Sequence, residues 1–189
     1  MIAGIFGFIF WFARRATQNN HQQIALLADH FKLELVRPSK SFWVLPELRG
    51  NLKGMPLEIT VKPNAATEGN ELRAVFTVPR QHFSFTIQRK TKLTYNKNDI
   101  ELMDGRINDH FIIKTEQPIP TKAFLQKSEI KQALAELKEH CILGAPVVLY
   151  QNEVFYTMNF AGVTNKKRDK IIKAIEFAAL LATLLQSET

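Results

Sequence analysis

The sequence predicts an α+β protein with a mainly antiparallel sheet and packing helices, plus a short N-terminal apolar membrane helix. Three observations lead to this prediction. The chain opens with 13 uncharged residues. Several later segments alternate apolar and polar residues, as half-buried strands do, and helical spacing recurs near the start, the middle and the end. Because short turns separate most neighbouring strands, the sheet is expected to be mainly antiparallel.

The composition is that of a globular protein, with 46% hydrophobic and 23% charged residues. The chain carries a net charge of +7. All of the basic excess lies in residues 1–99, which hold 14 Lys and Arg against 7 Asp and Glu. Basic residues beside an apolar segment favour contact with anionic headgroups, and nucleic acid is the competing interpretation. A single cysteine, Cys141, excludes an intrachain disulfide.

The opening stretch, MIAGIFGFIFWFARR, places two arginines directly after its apolar run. A signal peptide would place basic residues before that run, so this order disfavours one. As a helix the stretch would be about 20 Å long at ~1.5 Å per residue, against about 30 Å for a bilayer core. It has no polar face and is therefore expected to insert, although a helix packed in the protein's own core also fits. The predicted anchor residues are Ile2, Ile5, Phe6, Phe8, Ile9, Phe10, Trp11 and Phe12.

The residues beside this anchor have predicted roles of their own. Arg14 and Arg15 are expected to contact headgroups, and the positive-inside rule then places the rest of the chain in the cytoplasm. The small residues Ala3, Gly4 and Gly7 offer a smooth patch for packing on another transmembrane helix. A protein partner in the membrane would supply the stability that so short a segment lacks.

The elements after residue 15 follow from periodicity. A helix over 17–31 has four inward residues at helical spacing, Ile24, Leu27, Ala28 and Phe31. Residues 33–36 begin extended structure, and 41–62 predict a hairpin. Further strands are predicted at 72–78, 83–89, 92–95, 99–102 and 110–115.

The second half alternates helices with one more hairpin. Pro118 and Pro120 are expected to break the chain, and a helix with Ser128 as its N-cap should run to about Cys141. Residues 147–150 and 154–160 predict a hairpin. A largely apolar helix over 165–186 should pack across a sheet or against a partner.

No catalytic or metal-binding motif appears. The five histidines show no ligand spacing, and Cys141 lacks a placed histidine. The acidic residues around Gly105 do not follow the order of an EF-hand, and no phosphate-binding glycine loop is present. The sequence therefore predicts no cofactor, no metal and no small-molecule substrate.

One stretch, residues 72–98, is basic and lacks acids until Asp99. Its phenylalanines share the spacing of a core face, so a stacking platform for nucleic acid is the less favoured interpretation. An anionic surface is the preferred ligand, and the residues predicted to contact it are Arg73, Arg80, Arg89, Lys90, Lys92 and Lys97.

Two segments carry a resemblance. Residues 27–31 read L-A-D-H-F, and residues 46–59 read P-E-L-R-G-N-L-K-G-M-P-L-E-I. Together with a G-D-x-x-F-D-x-x-F-like turn at 104–111, they resemble a group of uncharacterised bacterial membrane-associated proteins. Asn108 and Ile107 replace the usual Asp and Phe of that turn. The resemblance implies a membrane-associated α+β domain and no particular activity.

These observations predict an anchor helix over residues 1–15 and a cytoplasmic α+β domain over 16–189, located at the bacterial inner membrane. The expected function is that of a non-enzymatic accessory or scaffold subunit of a membrane protein complex. Its expected partners are membrane lipid and an integral-membrane protein. The alternatives are a module that binds an anionic surface or nucleic acid through residues 73–97, and an enzyme of unrecognised type.

Overall fold

The computed structural model describes residues 2–36, 44–64, 69–91, 99–102, 105–140, 142 and 144–187, without the side chains of 2–10, 12, 13 and 106. The described helices are α1 (Ile2–Phe31), α2 (Gly105–Asn108), α3 (Pro118–Leu125), α4 (Ser128–Leu137) and α5 (Asn165–Gln186). The described strands are β1 (Glu34–Leu35), β2 (Leu48–Leu52), β3 (Met55–Asn64), β4 (Gly69–Thr77), β5 (Phe85–Arg89), β6 (Asp99–Ile100), β7 (Phe111–Lys114), β8 (Val147–Tyr150) and β9 (Glu153–Asn159).

All nine strands form one antiparallel sheet in the order β1-β2-β3-β4-β9-β8-β5-β7-β6. Short turns make the hairpins β2–β3 and β8–β9. The pairing of β4 with β9 joins the strands of the first half to the hairpin near the end of the chain. The β8–β9 hairpin therefore lies at the centre of the sheet, although its sequence lies between two helices.

The core lies on one face of the sheet. Strand positions that alternate inward, such as Phe76 on β4 and Tyr156 on β9, are 1% exposed or less. Residues from all five helices belong to the same apolar cluster. Helix α5 packs on β3, β4 and β9, and helices α1 and α4 pack on α5. The opposite face of the central strands receives no described helix.

Helix α5 begins and runs as its sequence predicts. The Thr164 hydroxyl accepts a hydrogen bond from the Lys167 backbone N–H at 3.2 Å and caps the first turn. Ten of its side chains are buried, which fits its largely apolar composition: Ile171, Ile172, Ala174, Ile175, Phe177, Ala178, Ala179, Leu181, Ala182 and Leu185.

The predicted short N-terminal membrane helix is wrong. Residues 2–31 form one continuous helix of 30 residues, and no described helix combines the length and apolarity needed to cross a bilayer. No glycine or proline occurs from residue 8 to residue 36, so nothing in the backbone ends a helix after Arg15. The apolar stretch is therefore the first part of a longer helix whose remainder is polar and amphipathic.

Other elements differ from the sequence expectation at their ends. Pro118 and Pro120 lie within the first turn of α3 instead of breaking the chain, since a proline there removes no helical hydrogen bond. Helix α4 begins with Ser128 as its first helical residue and not as its N-cap, and it ends at Leu137 and not near Cys141. The strand expected at 92–95 and Cys141 itself lie outside the described residues.

Candidate functional site: two interaction surfaces

The titratable groups whose pKa values are clearly shifted do not form a catalytic arrangement. A hydrogen bond from its own backbone N–H, together with the Ser128 hydroxyl, lowers the pKa of Glu129. The hydrogen bond from the Lys173 ammonium to Glu176 raises the pKa of Lys173. Burial lowers the pKa of Lys167. Glu129 and Lys173 line an open groove of about 280 Å³ between α4 and α5. Both shifts favour the charged form near neutral pH, so neither group is poised as a general acid or base.

The described residues contain no group of three metal-ligating side chains. The partial burial that lowers the pKa of Lys167 has a structural explanation, because the ammonium donates hydrogen bonds to the carbonyls of Asn159 at 3.1 Å and Ala161 at 2.9 Å. It thereby closes the loop between β9 and α5. The molecule instead offers two surfaces whose geometry is suited to binding.

The first surface is the N-terminal half of α1. The C-terminal half is held to the body by buried apolar residues, Ile24, Leu27, Ala28 and Phe31. Two polar contacts add to this packing: Asn19 Nδ2 donates to the Val163 carbonyl at 2.9 Å, and Arg168 Nη1 donates to Gln23 Oε1 at 3.3 Å. Gln23 is only 4% exposed, so the start of α5 covers it.

Before Asn19 the described side chains of α1 are open to solvent. Trp11 is 52% exposed, Arg14, Arg15 and Gln18 are exposed, and Thr17 is half-buried. The Arg15 guanidinium stacks over the Trp11 ring at 5.3 Å, a contact within the helix itself. The headgroup role of Arg14 and Arg15 stays a prediction. The side chains of the other predicted anchor and packing residues, including Ala3, Gly4 and Gly7, lie outside the description.

The second surface is the uncovered face of the sheet. Strand register aligns one outward residue from each of eight neighbouring strands, and we call this line the outer row. From β2 to β6 it runs Arg49, Glu58, Val75, Phe155, Val148, Thr86, Lys114 and Asp99. Its centre is apolar, and both of its ends are charged.

Ion pairs order the side chains around this row. Arg49 Nε lies 3.3 Å from a Glu58 carboxylate oxygen. Arg73, two residues before Val75 on the same face of β4, pairs with Glu153 at 2.7 Å. Its guanidinium also lies over the Phe155 ring at 4.4 Å. A groove of about 520 Å³ lies across β2, β3, β4 and β9 beside these pairs.

The structure does not bring the predicted basic residues together. Arg73 points outward from β4 and is paired with Glu153. Arg89 lies three strands away at the end of β5, on the same side of that strand as the inward residues Phe85 and Ile87. Arg80 is exposed in the β4–β5 connection, and Lys90 donates to the Asn108 carbonyl at 3.1 Å. Lys92 and Lys97 lie outside the described residues, and the role of the whole set in binding an anionic surface stays a prediction.

The turn around Gly105 is a one-turn helix, α2. Asn108 donates to the Leu102 carbonyl at 2.7 Å and accepts from the Leu102 N–H at 3.0 Å. The side chain thus ties α2 to the residues after β6 and uses both the donor and the acceptor of its amide.

Sequence reasoning missed the outer row. Val75, Phe155 and Val148 are half-buried residues at outward positions of their strands. The signal was present, since Phe155 and Val75 are bulky apolar residues where alternation predicts polar ones. What could not be read was that three separate strands place these residues side by side.

Comparisons with known proteins bear on the fold alone. No protein-family model and no curated protein sequence matches this chain. A solved structure with a similar fold is the crystal structure of the mycobacterial trehalose monomycolate transport factor A, TtfA. The TM-score is 0.55 at 9% sequence identity, over 91% of this chain and 95% of that chain. The likeness is one of fold. It extends over nearly the whole of both chains, so the α+β arrangement described above occurs in another protein.

Proposed function

We propose that this protein is a non-enzymatic accessory protein of a membrane complex, and that it binds an integral-membrane protein through the N-terminal half of α1. The observation that carries this proposal is the division of α1 into two parts. One part is packed on the body from Asn19 onward, and the other presents exposed side chains before that point.

The sequence of the first part indicates that the binding buries apolar side chains. Residues 2–13 contain only apolar side chains and glycine. Each Ile or Phe side chain that such a helix buries contributes about 1.5–3 kcal/mol. A helix that is apolar on every side gains this stabilisation only against another apolar surface. Helices of an integral-membrane protein provide such a surface, and the protein would then reach the membrane through its partner.

Further observations agree with an accessory role. The described titratable groups offer no acid–base pair for catalysis, and the grooves of the described surface are open. The similar solved structure is named a transport factor and not an enzyme. These points support a protein that acts by contact with a partner.

The experiment is purification of the full chain from native membranes in mild detergent, with quantitative mass spectrometry of the proteins that accompany it. The test variant is I5Q/F8Q/F12Q, which keeps the helix and removes apolar surface. The matched control is Q22A, which changes an exposed residue in the packed half of the same helix. We expect one integral-membrane protein in stoichiometric amount with the wild type and the control, and at least about tenfold less of it with the test variant.

A second variant, a deletion of residues 2–15, should lose the same partner. Recovery of that partner at wild-type level with either variant would contradict the proposal.

A further inference from the structure

We propose that the uncovered sheet face joins two copies of this chain, with a two-fold axis that runs along the strands between β8 and β9. This inference goes beyond the proposed function, because it requires neither the membrane partner nor residues 1–15. The observation behind it is the order of charges along the outer row.

A two-fold axis at this place makes the row complementary to itself. Arg49 of one copy faces Asp99 of the other, and Glu58 faces Lys114. Towards the centre Val75 faces Thr86, and Phe155 faces Val148. Every charged position of the row thus meets the opposite sign, and every apolar position meets an uncharged one. An axis through Phe155 would instead place Arg49 against Lys114, so like charges disfavour the neighbouring alignment.

The geometry of twisted sheets permits this arrangement. A two-fold axis that is parallel to the strands and lies midway between the two facing sheets gives the second sheet the same twist as the first. Two such faces therefore stay parallel at the ~10 Å spacing of aligned sheet packing. Dimers with one two-fold axis are the commonest oligomers, and each copy uses the same surface in them.

The composition of the face fits an interface between proteins. Protein interfaces have an apolar core enriched in aromatic residues and arginine, and a polar rim. Here Phe155, Val75 and Val148 form the centre, Arg73 stacks on Phe155 at 4.4 Å, and charged residues lie towards both ends. Tyr150, which is 57% exposed on β8, adds aromatic surface beside the centre.

The area of the face is also large enough for an interface between two copies. Seven strand spacings of about 4.8 Å make the row about 34 Å wide, and five residues at about 3.4 Å each give about 17 Å along the strands. The projected area is then about 570 Å², which is of the same order as the roughly 800 Å² per partner of a standard interface.

The test measures the mass of the full chain in mild detergent by sedimentation equilibrium, over about 1–100 μM. The wild type should be a dimer that dissociates on dilution. The variants E58K and K114E should each raise the dissociation constant at least about tenfold, because each places like charges face to face. The control is E139K, a charge reversal after α4 at a side chain that is 75% exposed, and it should leave the dimer unchanged.

The double variant E58K/K114E decides whether the contact is between copies. Glu58 on β3 and Lys114 on β7 lie five strands apart within one copy, too far to compensate each other. Across the proposed axis they face each other, so the double variant should restore the dimer. V148E, which places a charge against the partner's aromatic ring, should also weaken the dimer. The proposal is overturned if the wild type stays monomeric up to the highest concentration or if the single reversals leave the dimer unchanged. It is also overturned if the double variant has a higher dimer dissociation constant than either single variant.

Dimerisation through the apolar half of α1 would also give a dimer, but one insensitive to these charges. The result is therefore independent of the partner-binding experiment, and either proposal can fail alone.

Discussion

Single residues in this fold are explained by the close contacts they make. Gly50 on β2 lies under the side chain of Leu33, and a Cβ placed on it would come within 2.7 Å of Leu33 Cδ2 and 3.5 Å of Leu33 Cα. Leu33 is itself buried. The glycine therefore allows the close approach of the chain after α1 to the edge of the sheet.

Gly50→Ala should destabilise the protein by about 1–3 kcal/mol, since the buried Leu33 must move to admit the new methyl group. The free energy of unfolding from urea denaturation measures this. Gly105→Ala is the matched control, because a Cβ there meets no described atom within 4 Å. The control should leave stability unchanged or raise it by up to about 1 kcal/mol. Equal effects of the two changes would show that Leu33 does not restrict Gly50.

Asn108→Asp should destabilise the protein by about 1–3 kcal/mol at pH 7. The change keeps the acceptor for the Leu102 N–H but places a carboxylate oxygen against the Leu102 carbonyl, where Nδ2 donated at 2.7 Å. Urea denaturation again gives the value. Asn159→Asp is the control, because that side chain is exposed and acts only as an acceptor, from the Ala161 N–H at 2.9 Å. A loss no larger than the control's would mean that the donor half of the Asn108 contact contributes nothing.

At the scale of elements, helix α1 shows how far periodicity can be trusted. The spacing of Ile24, Leu27, Ala28 and Phe31 predicted a buried stripe, and these four residues are buried. The same reasoning treated residues 1–15 as a separate helix, because hydropathy changes abruptly at Arg14. Backbone hydrogen bonding does not depend on that change, and the helix continues through it.

Leu27→Ala should cost about 2–5 kcal/mol, because Leu27 is 0% exposed and its removal leaves a cavity between α1 and the core. Its neighbour Leu26, which is 37% exposed, provides the matched comparison. Leu26→Ala should cost less than about 1 kcal/mol. Both values come from thermal or urea unfolding of the full chain. Similar costs at the two positions would mean that α1 does not dock as described.

Helix α3 illustrates a different limit. Pro118 and Pro120 come shortly before the apolar residues 123–125 and indicate either a break in the chain or the start of a helix. Proline interrupts a helix but is also accepted in a helix's first turn, so the sequence alone fits both. The surrounding contacts decide between them. The hydroxyls of Thr115 and Thr121 lie 2.9 Å apart, and the Gln117 carbonyl accepts from the Thr121 N–H at 3.2 Å, which holds the first turn in place.

At the scale of the whole molecule, the one-sided arrangement of helices defines both candidate surfaces. All described helices that contact the sheet share one core, which leaves the outer row without a described helix over it. Among the described side chains of α1, the hydrogen bonds to the body begin at Asn19, so we expect its first half to contribute little to the stability of that core.

Deletion of residues 2–15 should therefore leave the body folded. We expect cooperative thermal unfolding with a Tm within about 4 °C of the full chain, which corresponds to about 1 kcal/mol for a protein of this size. Circular dichroism in mild detergent measures both chains under the same conditions. A truncated chain that unfolds without cooperativity would show that the apolar half packs on the body.

The sequence by itself determined the elements that local patterns specify. These are the amphipathic half of α1, the alternating strands, the largely apolar helix α5 and the excess of charge in the first half. Periodicity acts within a few residues, so one chain segment carries the whole signal. The tertiary structure alone decided the order of the strands, the central place of the β8–β9 hairpin and the outer row. These depend on which distant segments pair, as β4 does with β9, and no local pattern contains that information.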